Sequence, residues 1–284
     1  MAVKIVTDSS ADIPPELLKE FDITVVPLYV RFGNDVFKDK VDISNEEFYK
    51  RLVSGDVFPA TSQPPPLDFK QVYEELAKDA DGIVSVHISG KLSGTTPSAL
   101  QARESMQSSC PIEIIDSLSI TNGLGMVCLE AARAAKTGKK MEEVVKIARD
   151  AVPEIHLMVI FDTLKYLAKG GRIGKASSLM GAVLNIKPLI GLKDGEVVPL
   201  GKARSYSKAM EQQYEFVEKT IREGDVKEIS VMYNTNKNAA DILAERIAPL
   251  YPREKILMGE IGPILGTHGG PNMLGVCLRG KLAK

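Results

Sequence analysis

The order of apolar runs along the first half of the chain constrains its fold most strongly. Short runs typical of buried strands begin at Val3, Ile23, Ile83 and Ile112. Stretches with the apolar spacing of amphipathic helices lie between and after them, most clearly at 141–152. Strands that alternate with helices are the signature of a parallel α/β sheet. The first half of the chain is therefore predicted to form such a sheet.

The alternation of predicted strands and helices changes near residue 153. Residues 155–161 are predicted to form a strand, and the apolar runs 188–192 and 197–200 flank Asp194-Gly195, a two-residue turn typical of an antiparallel hairpin. Further helices and strands follow to residue 278. We predict an α/β protein of two domains, with a mainly parallel N-terminal α/β domain and a mixed C-terminal domain with antiparallel strands. The expected ranges are 1–155 and 156–284.

Composition limits the classes of function. The chain has 284 residues, 44% of them hydrophobic, with a formal net charge of −1 and no long charge run, which argues against nucleic acid or a membrane surface as partner. The three cysteines are far apart, which argues against a disulfide framework or a structural zinc site. No signal peptide and no apolar stretch near the membrane-spanning length is evident. We expect a cytoplasmic protein without stable membrane insertion.

The segment 85–99 carries the clearest functional signal. A predicted strand at 83–88 breaks into a turn with Gly90 and Gly94, and Pro97 marks the expected start of a helix. The segment is rich in hydroxyl residues, namely Ser89, Ser93, Thr95, Thr96 and Ser98. Unpaired N–H groups and the helix dipole make such a helix N-terminus a site for an anion. No acid or histidine lies within the turn, so we expect it to hold a negative group rather than to attack one.

The chain does not match the sequence motifs of nucleotide-binding proteins. A P-loop ending at Gly174-Lys175 would need glycine where Lys169 stands and a hydroxyl where Ala176 stands. The segment 123–128 resembles a dinucleotide fingerprint but places Cys128 where close packing requires Gly or Ala. Motifs of serine hydrolases, metalloproteases and thiol redox sites are absent from the sequence, and we predict no cofactor and no metal.

Of the three histidines, His268 is the candidate for function. It lies between Thr267 and Gly269-Gly270-Pro271, which predicts a turn before the closing strand. His87 and His156 lie inside apolar runs, where partnered structural histidines are expected. The alternatives for Lys169, Arg172 and Lys175 are a solvated basic loop and a docking site for a phosphate-bearing partner.

Several segments together resemble the DegV family of bacterial fatty-acid-binding proteins. In chain order they are VTDSSADIP at the start, TSQPP at 61–65, LSGT at 92–95, DSLSITNGLG at 116–125, DTLKYLAKGGRIGKA at 162–176, NIKPLI at 185–190 and THGGP at 267–271. Each segment alone is weak, but the ordered set spans nearly the whole chain. The chain departs from the family pattern at Thr96, Pro97, Thr121, Gly269 and Asn272.

The resemblance implies a two-domain EDD fold that binds a long-chain fatty acid such as palmitate. It also implies a role as the acyl-carrying subunit of a fatty acid kinase, with the catalysis in the partner kinase, which phosphorylates the presented carboxylate. The implied carboxylate ligands are Thr61 and Ser93, with His268 near the head group, and neighbouring ligand positions are Ser62, Gly94 and Thr95. Arg172 and Arg204 are implied on the face that meets the kinase, and the C-terminal domain is expected to contribute the acyl pocket.

Two other functions remain open at this point. A serine hydrolase acting on acyl esters would use Ser93 as nucleophile, His268 as base and an acid such as Asp116. A phosphate- or sugar-binding protein would use the same helix N-terminus but a shallow polar cleft instead of a closed apolar cavity.

Overall fold

The protein was studied as a computed structural model that describes residues 2–55, 57–180 and 186–282. The strands are β1 Ala2–Asp8, β2 Ile23–Val26, β3 Tyr29–Phe32, β4 Asp35–Lys38, β5 Ala60–Ser62, β6 Ala80–His87, β7 Ile112–Asp116, β8 Ile155–Ile160, β9 Lys187–Lys193, β10 Glu196–Ala203, β11 Gly224–Tyr233, β12 Ile256–Glu260 and β13 Leu274–Leu282. The α-helices are α1 Pro15–Glu20, α2 Asn45–Ser54, α3 Pro66–Leu76, α4 Thr95–Glu104, α5 Asn122–Lys136, α6 Met141–Ala151, α7 Lys165–Lys169, α8 Tyr206–Glu223, α9 Lys237–Ile247 and α10 Pro263–Gly269.

The first sheet has the order β2-β1-β6-β7, and every pair in it is parallel. Its two faces are covered by different helices, as its nearly continuous apolar strands require. Phe69 and Tyr73 of α3 pack with α4 on one face, whereas Leu124 of α5 and Val144 of α6 belong to the core on the other. The predicted parallel α/β sheet is confirmed.

The second sheet has the order β10-β9-β8-β13-β11-β12, and only β11 and β12 pair in parallel. The predicted hairpin is confirmed, because β9 and β10 are antiparallel and both turn residues, Asp194 and Gly195, have positive φ. Side chains alternate between the faces of β8. Met158 and Ile160 face the core under α8 and α9, whereas Leu157 and Val159 face the core shared with the first sheet. The predicted α/β class with two kinds of sheet is therefore confirmed.

A small third sheet includes part of the segment 58–66, whose prolines favour a loop. Within that range β5 pairs with β3, so the sheet order is β4-β3-β5 and Thr61 lies opposite Val30. The sheet packs with α2 and with Ile264 of α10 around Phe48. Thr61 is thus fixed by strand register, although prolines follow closely in the sequence.

The structure also differs from the sequence predictions at the ends of helices. His268 lies in the last turn of α10, not in a turn outside regular structure, and Lys169, the first residue of the expected basic loop, is the last residue of α7. Helix α4 begins at Thr95, two residues before Pro97. The change of sheet near Ile155 agrees with the expected domain boundary, but one apolar core spans both sheets, so the boundary stays a prediction. Asn185 of NIKPLI lies outside the described residues.

Candidate functional site

A mainly apolar cavity lies between the two large sheets. About 70 Å³ of it can hold the centres of water-sized molecules, and its empty space is about 750 Å³ when the open solvent at the mouth is included. Aliphatic and aromatic side chains from β8, β9, α7, α10 and the connecting loops form most of its wall: Leu28, Ile88, Leu92, Ile120, Leu157, Val159, Phe161, Leu167, Ile190, Leu192, Val197, Ile264 and Leu265. The polar lining side chains are Thr61, Ser62, Gln63, Ser93, Arg172 and His268. Such a cavity suits a ligand with a long apolar part and one polar end.

Ser93 reaches the cavity from the turn after β6. The Ser89 carbonyl accepts hydrogen bonds from the N–H groups of Leu92 and Ser93 at 2.9 and 3.1 Å, which closes the turn. Ser93 Oγ lies 2.8 Å from Oγ1 of Thr95, the first residue of α4. The start of α4 does not line the cavity, although no side chain caps it. The predicted order of strand, turn and helix is confirmed, and Ser93 is the hydroxyl residue of this segment that lines the cavity.

Thr61 and His268 meet at the cavity although 207 positions separate them in the sequence, with Thr61 Oγ1 2.9 Å from His268 Nε2. His268 is 9% exposed, and its Nδ1 is buried without a hydrogen-bond partner among the described residues. Burial lowers the pKa of His268 to about 4, and the positive charge of Arg172 acts in the same direction. His268 is therefore neutral at physiological pH.

The surroundings of His268 assign its proton. A buried N–H without an acceptor is costly, so the proton is better placed on Nε2 than on the unpartnered Nδ1. Nε2–H then donates to Thr61 Oγ1, and the Thr61 hydroxyl keeps its own hydrogen for an acceptor in the cavity. The pair can thus act as a neutral donor.

Three glycines make room for this arrangement, and we name Gly170, Gly269 and Gly270 the glycine corner. A Cβ at Gly170 would collide with His268 Nδ1, one at Gly269 with Met273, and one at Gly270 with the ring of Tyr166. Gly270 also has a φ of +79°. At Gly170 the backbone lies closer to His268 than a residue with a Cβ atom could lie.

Arg172 joins two of the loops at the cavity mouth. Its Nη1 donates to the Gly170 carbonyl at 2.8 Å and its Nε to the Leu92 carbonyl at 3.3 Å. The residue is exposed and also lines the cavity, so it places positive charge near the polar end. Arg204 is exposed just before α8 and does not line the cavity.

The structure brings Thr61, Ser62, Ser93 and His268 together at one cavity. The predicted ligand positions Gly94 and Thr95 do not line it: Gly94 is the residue before α4, and Thr95 is fully buried and bonds Ser93. Sequence reasoning did not single out Gln63, although it lies within the recognised segment TSQPP, and a Cβ at Gly94 would come 2.9 Å from its Nε2. The apolar wall gave no local signal, because its residues come from distant segments.

The proposed hydrolase triad is not assembled. The Asp116 carboxylate accepts hydrogen bonds from the N–H groups of Gly90 and Leu118, at 3.0 and 2.8 Å. His268 bonds Thr61, and Ser93 bonds Thr95. Among the described residues no acid orients His268, which is what a triad requires.

A second polar array lies in the core of the first sheet. His87 Nδ1 is 3.0 Å from Asp8 Oδ2, its Nε2 is 2.7 Å from Ser85 Oγ, and Ser85 Oγ is 2.8 Å from the Tyr73 hydroxyl. Asp8 also accepts from the Ile88 N–H at 3.0 Å and from Ser10. This confirms His87 as a partnered core histidine, and His156 is likewise partnered, with the Gly280 carbonyl at 2.9 Å.

The described residues also bear on two other kinds of site. In the ranges 2–55, 57–180 and 186–282, no cluster of three or more histidine, cysteine or acidic side chains is arranged to hold a metal ion. No helix there has the length and apolar character needed to cross a membrane.

Comparison with known proteins identifies the family of this chain. A family model described as an uncharacterised protein of the DegV family matches residues 2–281. A DegV domain-containing protein of Caldanaerobacter subterraneus is 35% identical over 279 residues, which cover 98% of this chain and 99% of the relative.

Two solved structures are also similar over almost their whole length. A DegV family protein from Thermus thermophilus, described for its fatty acid binding, superposes with a TM-score of 0.91 at 33% identity, covering 99% of this chain and 100% of that one. DegV from Bacillus subtilis, described as a fatty acid binding protein, gives a TM-score of 0.88 at 28% identity, with coverage of 99% and 100%. The chain thus belongs to the DegV family.

Proposed function

We propose that this protein binds one long-chain fatty acid in the cytoplasm and presents its carboxylate to a partner fatty acid kinase. The observation that carries the binding proposal is the division of the cavity wall, which is apolar except for Thr61, Ser62, Gln63, Ser93, Arg172 and His268. The fatty acids bound by the structural neighbours have the same division between tail and head group.

Burial of the fatty acid tail supplies most of the binding free energy, and the contacts to the head group orient the carboxylate. Burial contributes about 0.8 kcal/mol per methylene, hence roughly 10 kcal/mol gross for a chain of about sixteen carbons, before the costs of association. The carboxylate then needs donors rather than a strong counter-charge. The hydroxyls of Thr61 and Ser93 supply them, at about 1 kcal/mol or somewhat more for each hydrogen bond to a charged oxygen.

Neutral donors also suit presentation to a kinase. His268 is uncharged because its pKa is lowered to about 4, so no buried cation neutralises the carboxylate. A carboxylate held by neutral hydroxyls keeps more of its nucleophilic character toward a phosphoryl group than one paired with arginine. In this proposal Arg172 and Arg204, both exposed, meet the kinase surface.

Lipid extraction tests the binding proposal. Protein purified from a bacterial host is denatured and extracted, and the extract is analysed by mass spectrometry; the expected result is about one fatty acid per chain. Ser93→Ala is expected to weaken binding of added palmitate while the melting temperature stays close to that of the wild type. A protein that releases no lipid and binds neither palmitate nor oleate would refute the proposal.

Reconstitution tests the kinase proposal. With a bacterial fatty acid kinase and ATP, the loaded protein is expected to yield acyl phosphate. Arg204→Ala is expected to slow this reaction without loss of loading, since Arg204 does not line the cavity. Arg222→Ala near the other end of α8 is the matched control, as Arg222 is also exposed. Equal rates for the two variants would remove Arg204 from the proposed docking face.

A further inference from the structure

A second cavity, which we name the distal cavity, adjoins the ligand cavity. Leu157 of β8 and Leu192 of β9 line both. Its other lining residues are four polar ones, Ser117, Ser119, Arg149 and Asp194, and four apolar ones, Leu118, Val152, Pro153 and Ile155. The two leucine side chains are therefore shared walls between an apolar cavity and a more polar one.

The direction of β8 places these leucines at the far end from His268. Phe161, Val159 and Leu157 all line the ligand cavity. Phe161 lies at the His268 end, because a Cβ on Gly269 would be 3.1 Å from its ring. Phe161 directly follows β8 and lies four positions after Leu157. At the usual rise per residue of an extended chain, the two Cα atoms are about 13 Å apart. A ligand whose head group lies at His268 thus has its tail running along β8 toward Leu157.

Strand register brings Leu192 to the same place. Val159 pairs with Ile190 in the antiparallel ladder of β8 and β9. Continued by two residues, that register sets Leu157 opposite Leu192. The backbones stay close at this point, since a Cβ on Gly191 would be 2.7 Å from the Leu157 carbonyl oxygen. Leu157 and Leu192 therefore close the cavity from two adjacent strands.

The distal cavity contains polar groups that disfavour a methyl end. Ser119 Oγ is buried there without a hydrogen-bond partner among the described residues. The Arg149 guanidinium, paired with Glu113, and the Asp194 side chain add charge. A tail pushed past the leucines would desolvate these groups without satisfying them.

We propose that Leu157 and Leu192 set the longest acyl chain that the protein binds well, an inference that rests on the proposed fatty acid function. The two side chains separate the ligand cavity from the distal cavity, which is space that a longer chain enters only when they are made smaller. Chain length is then selected by two positions on β8 and β9, away from the His268 end of the cavity.

Leu192→Ala and its matched control Ile190→Ala test this. Both residues lie on β9, two positions apart, and both line the ligand cavity, but Ile190 does not line the distal cavity. Binding of saturated fatty acids of increasing length is measured by displacement of a fluorescent fatty acid. In the wild type each added methylene should strengthen binding about fourfold until the optimum length, beyond which binding weakens.

The expected result for Leu192→Ala is an optimum longer by about two carbons, because the substitution removes most of the side chain. Ile190→Ala should change affinity without moving the optimum. Leu157→Ala is a second variant with the same expectation as Leu192→Ala, should either be unstable. An unmoved optimum in the leucine variants, or an equal shift in Ile190→Ala, overturns the inference. A wild-type protein that binds no fatty acid of any length refutes the proposed function instead.

Discussion

His87 and His268 are both buried, yet their surroundings differ in one respect. Both ring nitrogens of His87 have partners, Asp8 on one side and Ser85 on the other, within a fully buried array. His268 has a partner for Nε2 only, and its Nδ1 faces the glycine corner. The first histidine belongs to a closed network in the core of a sheet, and the second borders a cavity.

This difference between the two histidines indicates that one stabilises the fold and the other serves the binding site. A closed polar network in a core is satisfied by the fold itself, and loss of one member leaves the others unpaired. An arrangement that leaves the Thr61 hydrogen free has a donor to offer to a ligand. We therefore expect changes at the Asp8–His87 array to affect folding, and changes at the Thr61–His268 pair to affect binding.

The largest effect is expected for Asp8→Ala. It would leave the ring of His87 and the N–H groups of Ile88 and Ser10 without their acceptor. The free energy of unfolding should fall by about 3–5 kcal/mol, measured by urea denaturation. Asp150→Ala is the control, because Asp150 makes an exposed ion pair with Lys146 and its loss should cost less than about 1 kcal/mol. Similar losses for both variants would contradict the comparison.

The next largest effect is a dependence of the free energy of unfolding on pH, which His268 causes. Its pKa is about 4 in the folded protein, below the ordinary value of 6.5, so the unfolded chain binds the proton more readily. Stability should therefore fall as pH drops from 6.5 through 4, by on the order of 3 kcal/mol. Urea denaturation between pH 4 and 8 should show this loss in the wild type relative to His268→Asn.

The comparison with His268→Asn is needed because Asp39 acts in the opposite sense. Burial raises the pKa of the Asp39 carboxyl to about 7, so its contribution makes the fold less stable as pH rises from 3.8 through 7. Asp39 is common to both proteins and cancels in the difference between them. A difference that does not change with pH would show that His268 is not held neutral by its surroundings.

Thr61→Val should weaken fatty acid binding about tenfold while it preserves the shape of the side chain. The variant loses the hydroxyl that His268 orients toward the cavity. Isothermal titration with palmitate measures the change. Ser85→Ala is the counterpart in the other array, and it should lower the melting temperature but leave palmitate affinity unchanged. Reversal of the two outcomes would mean that the assignment of roles is wrong.

The smallest effect is expected for Arg172→Ala. Its guanidinium is exposed and screened by solvent, so carboxylate binding should weaken only about two- to threefold at low salt. The difference from the wild type should vanish near molar salt. Arg204→Ala should leave affinity unchanged at either salt concentration, because Arg204 lies outside the cavity.

The sequence predicted the sheets well because their strands are apolar runs whose period and spacing are local properties. Helix α10 was missed because residues 263–269 begin with proline and contain two glycines, which gives a weak intrinsic helix signal. The helix forms because all seven residues are buried, with Ile264 in the core of the small sheet. Tertiary packing here overrides propensity, and packing is not a local property.

The site shows the same division. Ser93 could be singled out from a strand, a turn and a helix N-terminus in consecutive residues. Thr61 was indicated only by resemblance, since β5 is three residues long and pairs with one strand. His268 was singled out from its neighbours in the sequence, but its contact with Thr61 could not be predicted from them. The placement of Leu192 beside Leu157 follows from the register between β8 and β9, which only the assembled sheet supplies.

The glycine corner has a consequence for the pattern of harmful mutations. At Gly170, Gly269 and Gly270, His268 and its neighbours occupy the space that a side chain would take. Replacement of any of these glycines would displace the groups behind the ligand site and leave the side chains of Thr61 and Ser93 unaltered. A random mutagenesis screen for loss of fatty acid binding should therefore recover variants at these glycines, which do not contact the lipid. The absence of side chains at these positions is needed for recognition, as are the hydroxyls of Thr61 and Ser93.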